Sequence, residues 1–362
     1  MLVKRLWLTD FRSYPSADVE LAPGLTVVLG ANGEGKTNLL EALAYLATLS
    51  SFRGAPPDAL IRDGAAAAVV RAEGEREGRE LLLEAEIVSG GRNRVQVNRQ
   101  RLHRARDLLG ALRVSVFAPD DLALVKGGPG ERRRFLDDTL VALHPRYDQL
   151  RADVERILKQ RNALLKQAAG GTRFDESAAF TLDVWDAKLV ESGEALATAR
   201  RELVDRLRGP VAAAYEALAE AKASSIGATY DASWAADGLA PALAAARRDD
   251  LRRGVTTVGP HRDDVVLTIG GLPARTHASQ GEQRSLALAL RLAAHHVVTD
   301  TTGSSPVLLL DDVFSELDPH RSDSLLHHLP PGQTVLTSAA GLPSGADPDL
   351  VLRIERGELS RA

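Results

Sequence analysis

Cysteine is absent from this chain of 362 residues. Disulfides, thiol catalysis and cysteine-ligated zinc are thereby excluded. Long apolar runs are missing as well. None approaches the roughly 20 residues needed to span a bilayer, and the start, Met1-Leu2-Val3-Lys4-Arg5, has no signal-peptide core. A cytoplasmic protein with no membrane partner is the expectation. Lysine is scarce, at seven of the 45 basic residues. The arginines that dominate offer planar forks suited to phosphate, although an Arg- and Ala-rich composition also follows from genome base content. The nine histidines are scattered; His295-His296 and His327-His328 read as helix-surface pairs, not metal ligands. Net charge is −4, which announces no nucleic-acid binder, yet a net value hides patches. What is present is a soluble composition, 44% hydrophobic and 26% charged, with length for roughly two domains.

The strongest positive signal is Gly30-Ala31-Asn32-Gly33-Glu34-Gly35-Lys36-Thr37, which fits the phosphate-binding loop G-x-x-x-x-G-K-[ST]. A chance match in a chain of this length has odds of about one per cent at average residue frequencies. The flanks agree with it. Leu25 to Leu29 reads as a short apolar strand, and Leu39, Leu40, Leu43, Leu46 and Ala47 follow at helical spacing. Backbone N–H groups from Gly30 to Asn38 can wrap phosphates at the positive end of the new helix. Lys36 is expected to reach the outer phosphates and Thr37 to hold Mg²⁺ beside them.

A second half of such a site lies far along the chain. Val307-Leu308-Leu309-Leu310-Asp311-Asp312 is an apolar strand ending in two carboxylates. A strand of this kind beside the P-loop strand delivers an Asp to the magnesium shell. Asp311 is assigned to the metal and Asp312 to orienting or deprotonating the attacking water. Ser279-Gln280-Gly281-Glu282-Gln283-Arg284 precedes a helical run from Ser285 to Val298. Ser279 is a good N-cap and Gly281 permits close backbone approach, making a second helix N-terminus able to hold phosphate.

The texture of the chain changes twice. Up to about residue 125 strands dominate, at Leu2 to Leu8, Val19 to Leu21, Leu25 to Leu29, Ala67 to Ala72, Leu81 to Val88, Arg94 to Asn98 and Arg113 to Phe117. From Asp120 to about Arg253 helical stretches such as Tyr147 to Gln167 and Ala178 to Leu207 take over, punctuated by Gly170-Gly171-Thr172 and Gly209-Pro210. Strands return at Val265 to Ile269, Val307 to Leu310, Thr334 to Thr337 and Val351 to Glu355. The expected fold is α/β: a nucleotide-binding domain of residues 1–125 and 255–362, interrupted by a helical insertion lobe of residues 126–254.

The order P-loop, S-Q-G-E-Q, D-D, then Ser315-Glu316-Leu317-Asp318 resembles the ABC-type ATPase heads, where S-G-G-Q is the signature and S-x-L-D the D-loop. The resemblance narrows to the RecF family of bacterial recombination-mediator ATPases. It is carried by Leu8-Thr9-Asp10-Phe11-Arg12-Ser13-Tyr14, by Gly33 to Ala42, and by Gly127-Gly128-Pro129-Gly130-Glu131-Arg132-Arg133-Arg134-Phe135-Leu136-Asp137. Val258-Gly259-Pro260-His261-Arg262-Asp263-Asp264 and Asp311 to Asp318 complete it. The blocks run from residue 8 to 318; the helical insertion matches only in placement and length.

Several expectations follow from that resemblance. ATP, with Mg²⁺, is sandwiched in a homodimer held together by ATP. Ser279 and Gly281, with Gln280, Glu282 and Gln283 of the same segment, cap the γ-phosphate bound by Lys36 of the other copy. The two-fold arrangement makes the interface isologous, with two equivalent sites. Asp318 of the D-loop joins Asp312 in catalysis. Arg53, just past the P-loop helix, stands near where related chromosome-maintenance ATPases carry an arginine that touches the γ-phosphate. The family acts on duplex or gapped DNA with RecR and RecO, placing the RecA recombinase at single-strand gaps in repair, replication restart and the SOS response, in the nucleoid-associated cytoplasm.

Three departures from the broad ABC pattern predict slow turnover, DNA-stimulated and suited to a switch. Ala118 occupies the place of a magnesium-contacting Gln, Ser338 that of a phosphate-sensing His, and Asp312 that of a longer catalytic Glu. Two rivals share the nucleotide motifs. A transporter subunit is disfavoured by the 242 residues, 37 to 278, between Lys36 and Ser279; a scaffold that binds ATP without hydrolysing it fits the missing Gln and His. A truncated chromosome-cohesion head would need long heptad arrays, which are absent.

For DNA, the stretch holding Arg92, Arg94, Arg99, Arg101, Arg104 and Arg106 has no acid until Asp107. Six uncompensated charges could contact several backbone phosphates. The bland alternative is an edge hairpin solubilised by charge. Few aromatics lie nearby, so duplex contact is favoured over base stacking. Arg132 to Arg134 reads as a solvated face, and Arg151, Arg156, Lys159, Arg161 and Lys166 as a weaker patch.

Overall fold

The computed structural model describes residues 1–170, 175–219, 226–355 and 357–362. The chain forms two compact units. One gathers Met1–Leu122, Ala213–Lys222 and Arg284–Ala362; the other gathers Ala123–Ala212 and Ala223–Gln283. Residues 255–283, which the sequence groups with the P-loop domain, thus pack within the second unit.

The first unit is built on two six-stranded sheets. One is antiparallel, in the order Tyr14–Glu20, Leu2–Phe11, Ala67–Arg76, Arg79–Val88, Arg94–Val97, Gln100–Arg101. The other runs Glu358–Arg361, Leu350–Glu355, Leu25–Leu29, Thr334–Ser338, Val307–Asp311, Val114–Phe117, parallel except for its first strand. Val307–Asp311 and Thr334–Ser338 are buried at every residue, as expected of parallel strands covered on both faces. The helix Lys36–Thr48 touches Leu2–Phe11 and Ala67–Arg76 of the first sheet and Val307–Asp311 and Thr334–Ser338 of the second. That double contact explains its Leu/Ala composition, with apolar residues on more than one face. Leu39, Leu40, Leu43 and Leu46 are fully buried, each contributing about 1.5–3 kcal/mol by leaving water. Gln333 ties the sheets together: its Oε1 accepts from Val3 N at 2.8 Å, and its Nε2 donates to the carbonyls of Val3 and Ala22.

The strand order corrects one expectation. The carboxylate strand Val307–Asp311 is not beside the P-loop strand, because Thr334–Ser338 intervenes. Two further differences concern the helical region. Ile226–Asp231 is a strand, paired with Asp264–Ile269, so the region is not helical throughout; six residues with a partner strand far along the chain leave little periodic signal. The helix Glu176–Ala219 also continues through Pro210. Proline removes one backbone bond, but Leu207, Val211, Tyr215 and Leu218 around it are all buried, and that burial outweighs the loss. Of Gly170-Gly171-Thr172, Gly170 ends the helix Arg146–Ala169; residues 171 and 172 lie outside the described ones.

The second unit buries charge in pairs. Arg161, with no exposed surface, donates to Asp186 at 2.6 Å, Asp250 at 2.7 Å and Thr256 at 2.8 Å. Arg200 grips Asp137 through two 2.7 Å bonds, and Arg132 grips Asp264 at 2.7 and 2.9 Å. Arg132 and Arg161 are therefore structural, not members of a solvated face or patch; their acids come from distant positions that local charge counting misses.

Candidate nucleotide site

The P-loop enters from Leu25–Leu29 and turns through Gly33 at φ 88° and Gly35 at φ 107°, backbone that side chains other than glycine resist. Space also requires glycine at 35. A Cβ there would lie 2.8 Å from Ser13 Oγ and 3.1 Å from Tyr14 Oη. Gly35 begins the helix Lys36–Thr48 with no side chain capping it, so first-turn N–H groups stay available for an anion. Ala31, Asn32 and Gly33 are exposed and Glu34 half-buried. Lys36 is buried and folds back, its Nζ donating to the carbonyls of Gly30 at 2.8 Å and Ala31 at 2.9 Å.

The segment Arg12-Ser13-Tyr14 braces this loop, a role the sequence did not disclose. Tyr14 Oη donates to the Gly35 carbonyl at 3.0 Å, and burial raises that phenol's pKa. Asn38 donates its amide to Ser13 Oγ at 2.9 Å. The signal in the sequence is that Arg12-Ser13-Tyr14 closes the block from Leu8 to Tyr14 that carries the family resemblance.

Thr37 and Asp311, 274 residues apart in sequence, meet at 2.9 Å, the threonine hydroxyl donating to Oδ1. The same Oδ1 accepts from Thr337 at 2.9 Å. Burial pushes the Asp311 carboxyl above its ordinary pKa, the hydroxyls of Thr337 and Thr37 pull it back, the charge of Asp312 raises it and that of Arg53 lowers it. Asp312 leaves the strand in the left-handed region at φ 47°; its N–H donates to Thr337 Oγ1 at 3.0 Å and its Oδ1 accepts from Ala339 N at 3.2 Å. The donor set of hydroxyl, carboxylate and bare helix N–H groups fits Mg²⁺ with a nucleoside triphosphate, since Mg²⁺ combines few protein oxygens with phosphate oxygens and water.

Arg53 is exposed, and its N–H donates to Ser51 Oγ at 3.1 Å. Asp318 caps the helix Pro319–His327, accepting from Arg321 N at 2.9 Å. Ala118 ends Val114–Phe117 with its N–H on Asp121, and Ser338 is buried at the end of its strand.

The signature segment belongs to the second unit. Ser279 and Glu282 form a capping box, Ser279 N donating to Oε2 at 2.7 Å and Glu282 N to Oγ at 3.3 Å. Ser279 and Gln280 are exposed, Gly281 and Glu282 half-buried. Gln283 is buried, its Nε2 donating to the carbonyls of Ala274 and Arg275.

Among the arginines from 92 to 106 the expectation of six uncompensated charges is not met. Arg94 pairs with Glu86 across the neighbouring strand at 3.2 Å, and Arg106 is also engaged. For Arg94 the compensation comes from cross-strand pairing, invisible in a linear count. Arg92, Arg99, Arg101 and Arg104 are exposed. Asn98 at φ 50° and Arg99 at φ 66° make the two-residue turn of a hairpin whose second strand is the sheet edge.

With this geometry the comparisons agree. The RecF/RecN/SMC N-terminal domain model matches residues 2–335. A DNA replication and repair protein RecF from Frankia alni is 49% identical over 94% of this chain and 93% of its own; one from Kineococcus radiotolerans is 46% identical over 94% and 93%. A solved structure of the recombination mediator protein RecF with ATP, in the RecFOR pathway, superposes with a TM-score of 0.91 at 28% identity, covering 100% of this chain and 97% of that one. The chain belongs to the RecF/RecN/SMC group and, within it, to the RecF family.

Proposed function

We propose that this chain is an ATP-dependent DNA-binding protein of recombinational repair and replication, a slow ATPase that dimerises on ATP. The single observation that carries the reading is the contact between Thr37 and Asp311, which brings a P-loop hydroxyl and a strand-end carboxylate to one point. The RecF names and the ATP complex among its relatives support the same ligand and process.

In this reading the N–H groups from Gly30 to Asn38 bind the phosphates, and Lys36 exchanges its two carbonyls for phosphate oxygens. Thr37 and Asp311 hold Mg²⁺, which when bound neutralises charge on the phosphates. Asp312 orients the attacking water, while Arg53 and Asp318 approach the site as the dimer forms. Ser279, exposed at a helix N-terminus, meets the phosphate held by the other copy, with Gln280, Gly281 and Glu282. Gln283 supports that segment from inside. Ala118 has no side-chain donor, Ser338 is short, and Asp312 is a carbon shorter than Glu; all three support slow turnover. Duplex or gapped DNA is the nucleic-acid partner, RecR and RecO the protein partners, and RecA loading the outcome.

The test is sedimentation of parent and Lys36→Ala protein with ATP and Mg²⁺, with and without gapped duplex DNA. Dimers that need ATP, tighten with DNA and vanish in the variant are expected. A parent that neither binds ATP nor dimerises would sink the reading.

A further inference from the structure

We infer that Thr337 is a positioning residue of the nucleotide site, one hydroxyl holding the side chain of Asp311 and the backbone of Asp312 together. The inference rests on the proposed roles of those two aspartates.

The geometry begins with the inserted strand. Asp311 and Thr337 are register partners on adjacent parallel strands, so the strand that displaces the P-loop strand from Asp311 also supplies its neighbour. Thr337 has no exposed surface. A hydroxyl carries one hydrogen and two lone pairs. Its hydrogen is directed to Asp311 Oδ1 at 2.9 Å, with Leu310 O more distant at 3.5 Å. A lone pair takes the N–H of Asp312 at 3.0 Å. Both bonds coexist, so the side chain is satisfied on both sides.

The two bonds do different things. Asp312 N–H lies where the chain leaves the sheet in the left-handed region; bonding it fixes the direction in which that carboxylate departs. Ala339, two residues on from Thr337, holds the other end through Asp312 Oδ1. Asp311 Oδ1 meanwhile has two threonine donors, Thr37 and Thr337. Thr37 is the one assigned to the cation, leaving Thr337 as the donor dedicated to the carboxylate. Groups that hold ligating carboxylates in this way typically change metal affinity or activity about 10- to 100-fold when removed.

Thr337→Val keeps the volume and the β-branch that suits a strand while deleting donor and acceptor. Thr337→Ser keeps both. The measurement is ATP affinity by equilibrium titration, in Mg²⁺ and in EDTA, alongside steady-state turnover. In the parent Mg²⁺ should tighten binding. In Thr337→Val that tightening should shrink about 10-fold or more, with affinity in EDTA unchanged and kcat falling more than KM rises. Thr337→Ser should restore the parent's magnesium effect. If the valine variant does not fold, Thr337→Ala enters the same titration. A valine or alanine variant with the parent's full magnesium effect overturns the positioning role while leaving the ATP reading intact; a parent with no ATP affinity removes both.

Discussion

The guanidinium of Arg12 closes on the carboxylate of Glu41 through two parallel bonds of 2.8 Å, Nε to Oε2 and Nη2 to Oε1. Glu41 has no exposed surface and sits five residues beyond Lys36 on the P-loop helix. Ser51 donates its hydroxyl to the same carboxylate and accepts the N–H of Arg53. One buried acid therefore ties the end of the first strand, the P-loop helix and the segment bearing Arg53.

Removing the cation alone should be costly. Arg12→Ala leaves a buried carboxylate without its partner, a change typically costing about 3–5 kcal/mol. Urea denaturation should show that loss, and the double variant Arg12→Leu with Glu41→Leu should recover much of it. A single-variant cost below about 1 kcal/mol would mean water reaches Glu41 and the pair is a surface contact.

How much of this could be read from the chain depends on the range of the interaction. The P-loop was legible because strand, glycines and helix are contiguous, and Leu25–Leu29 falls where expected. The strand-end position of Asp311 followed from an apolar run ending in acid, again a local signal. The identity of its neighbour did not: Thr337 reaches Asp311 only because a third strand is inserted, and strand order has no local signature. Charge pairing failed for the same reason. Arg132 with Asp264 and Arg161 with Asp250 span 132 and 89 residues, so one arginine in each run that looks solvated is buried. His295-His296 divides likewise: His296 is exposed as a helix-surface residue, whereas His295 is buried.

His295 carries a pH dependence. Its Nδ1 lies 3.0 Å from Ser115 Oγ and its Nε2 2.9 Å from Ser305 Oγ. Burial, and secondarily the charge of His296, lowers its pKa from 6.5 to about 4. The neutral ring is the folded form, so stability is full above the unfolded value of 6.5 and falls as pH drops towards 4. Within that window the loss is about 1.4 kcal/mol per pH unit. Denaturation from pH 7.5 to 4.5 should show it, and His295→Gln should flatten the slope by about one proton. Equal slopes in the two proteins would mean that the imidazole charges freely in the fold.

The observed role of Ser279 and its proposed one can be separated. As half of a capping box it stabilises its helix, and Ser→Ala at such caps costs about 1 kcal/mol. Ser279→Asp preserves the cap, since Asp is an equally good N-cap, but places negative charge where the other copy's phosphate would approach. Monomeric ATP binding should survive and ATP-dependent dimerisation should be lost. Unimpaired dimers in sedimentation would exclude Ser279 from the interface.

The edge hairpin offers the sharpest test of a DNA surface. With Arg94 held by Glu86, the candidates narrow to Arg92, Arg99, Arg101 and Arg104. Arg99 occupies a left-handed turn position at φ 66°, so Arg99→Asn is the replacement that keeps the backbone, because Asn tolerates that region; Arg101→Ala completes the pair. Each phosphate contact contributes about 0.9 to the log–log salt slope of duplex binding. Losing two contacts per copy should flatten the slope by up to about 1.8 in a monomer and about 3.6 in a two-fold dimer. Affinity should fall equally for unrelated sequences, with ATP affinity untouched. A salt titration with ATP present reads all three. An unchanged slope would leave the hairpin as a charged edge that resists strand pairing, and the DNA surface would then have to lie elsewhere. By the criterion that removes Arg94, the run from Arg151 to Lys166 offers chiefly Lys159 and Lys166, because Arg151 is held by Asp138 and Asp148, Arg156 by Asp153, and Arg161 by Asp186 and Asp250.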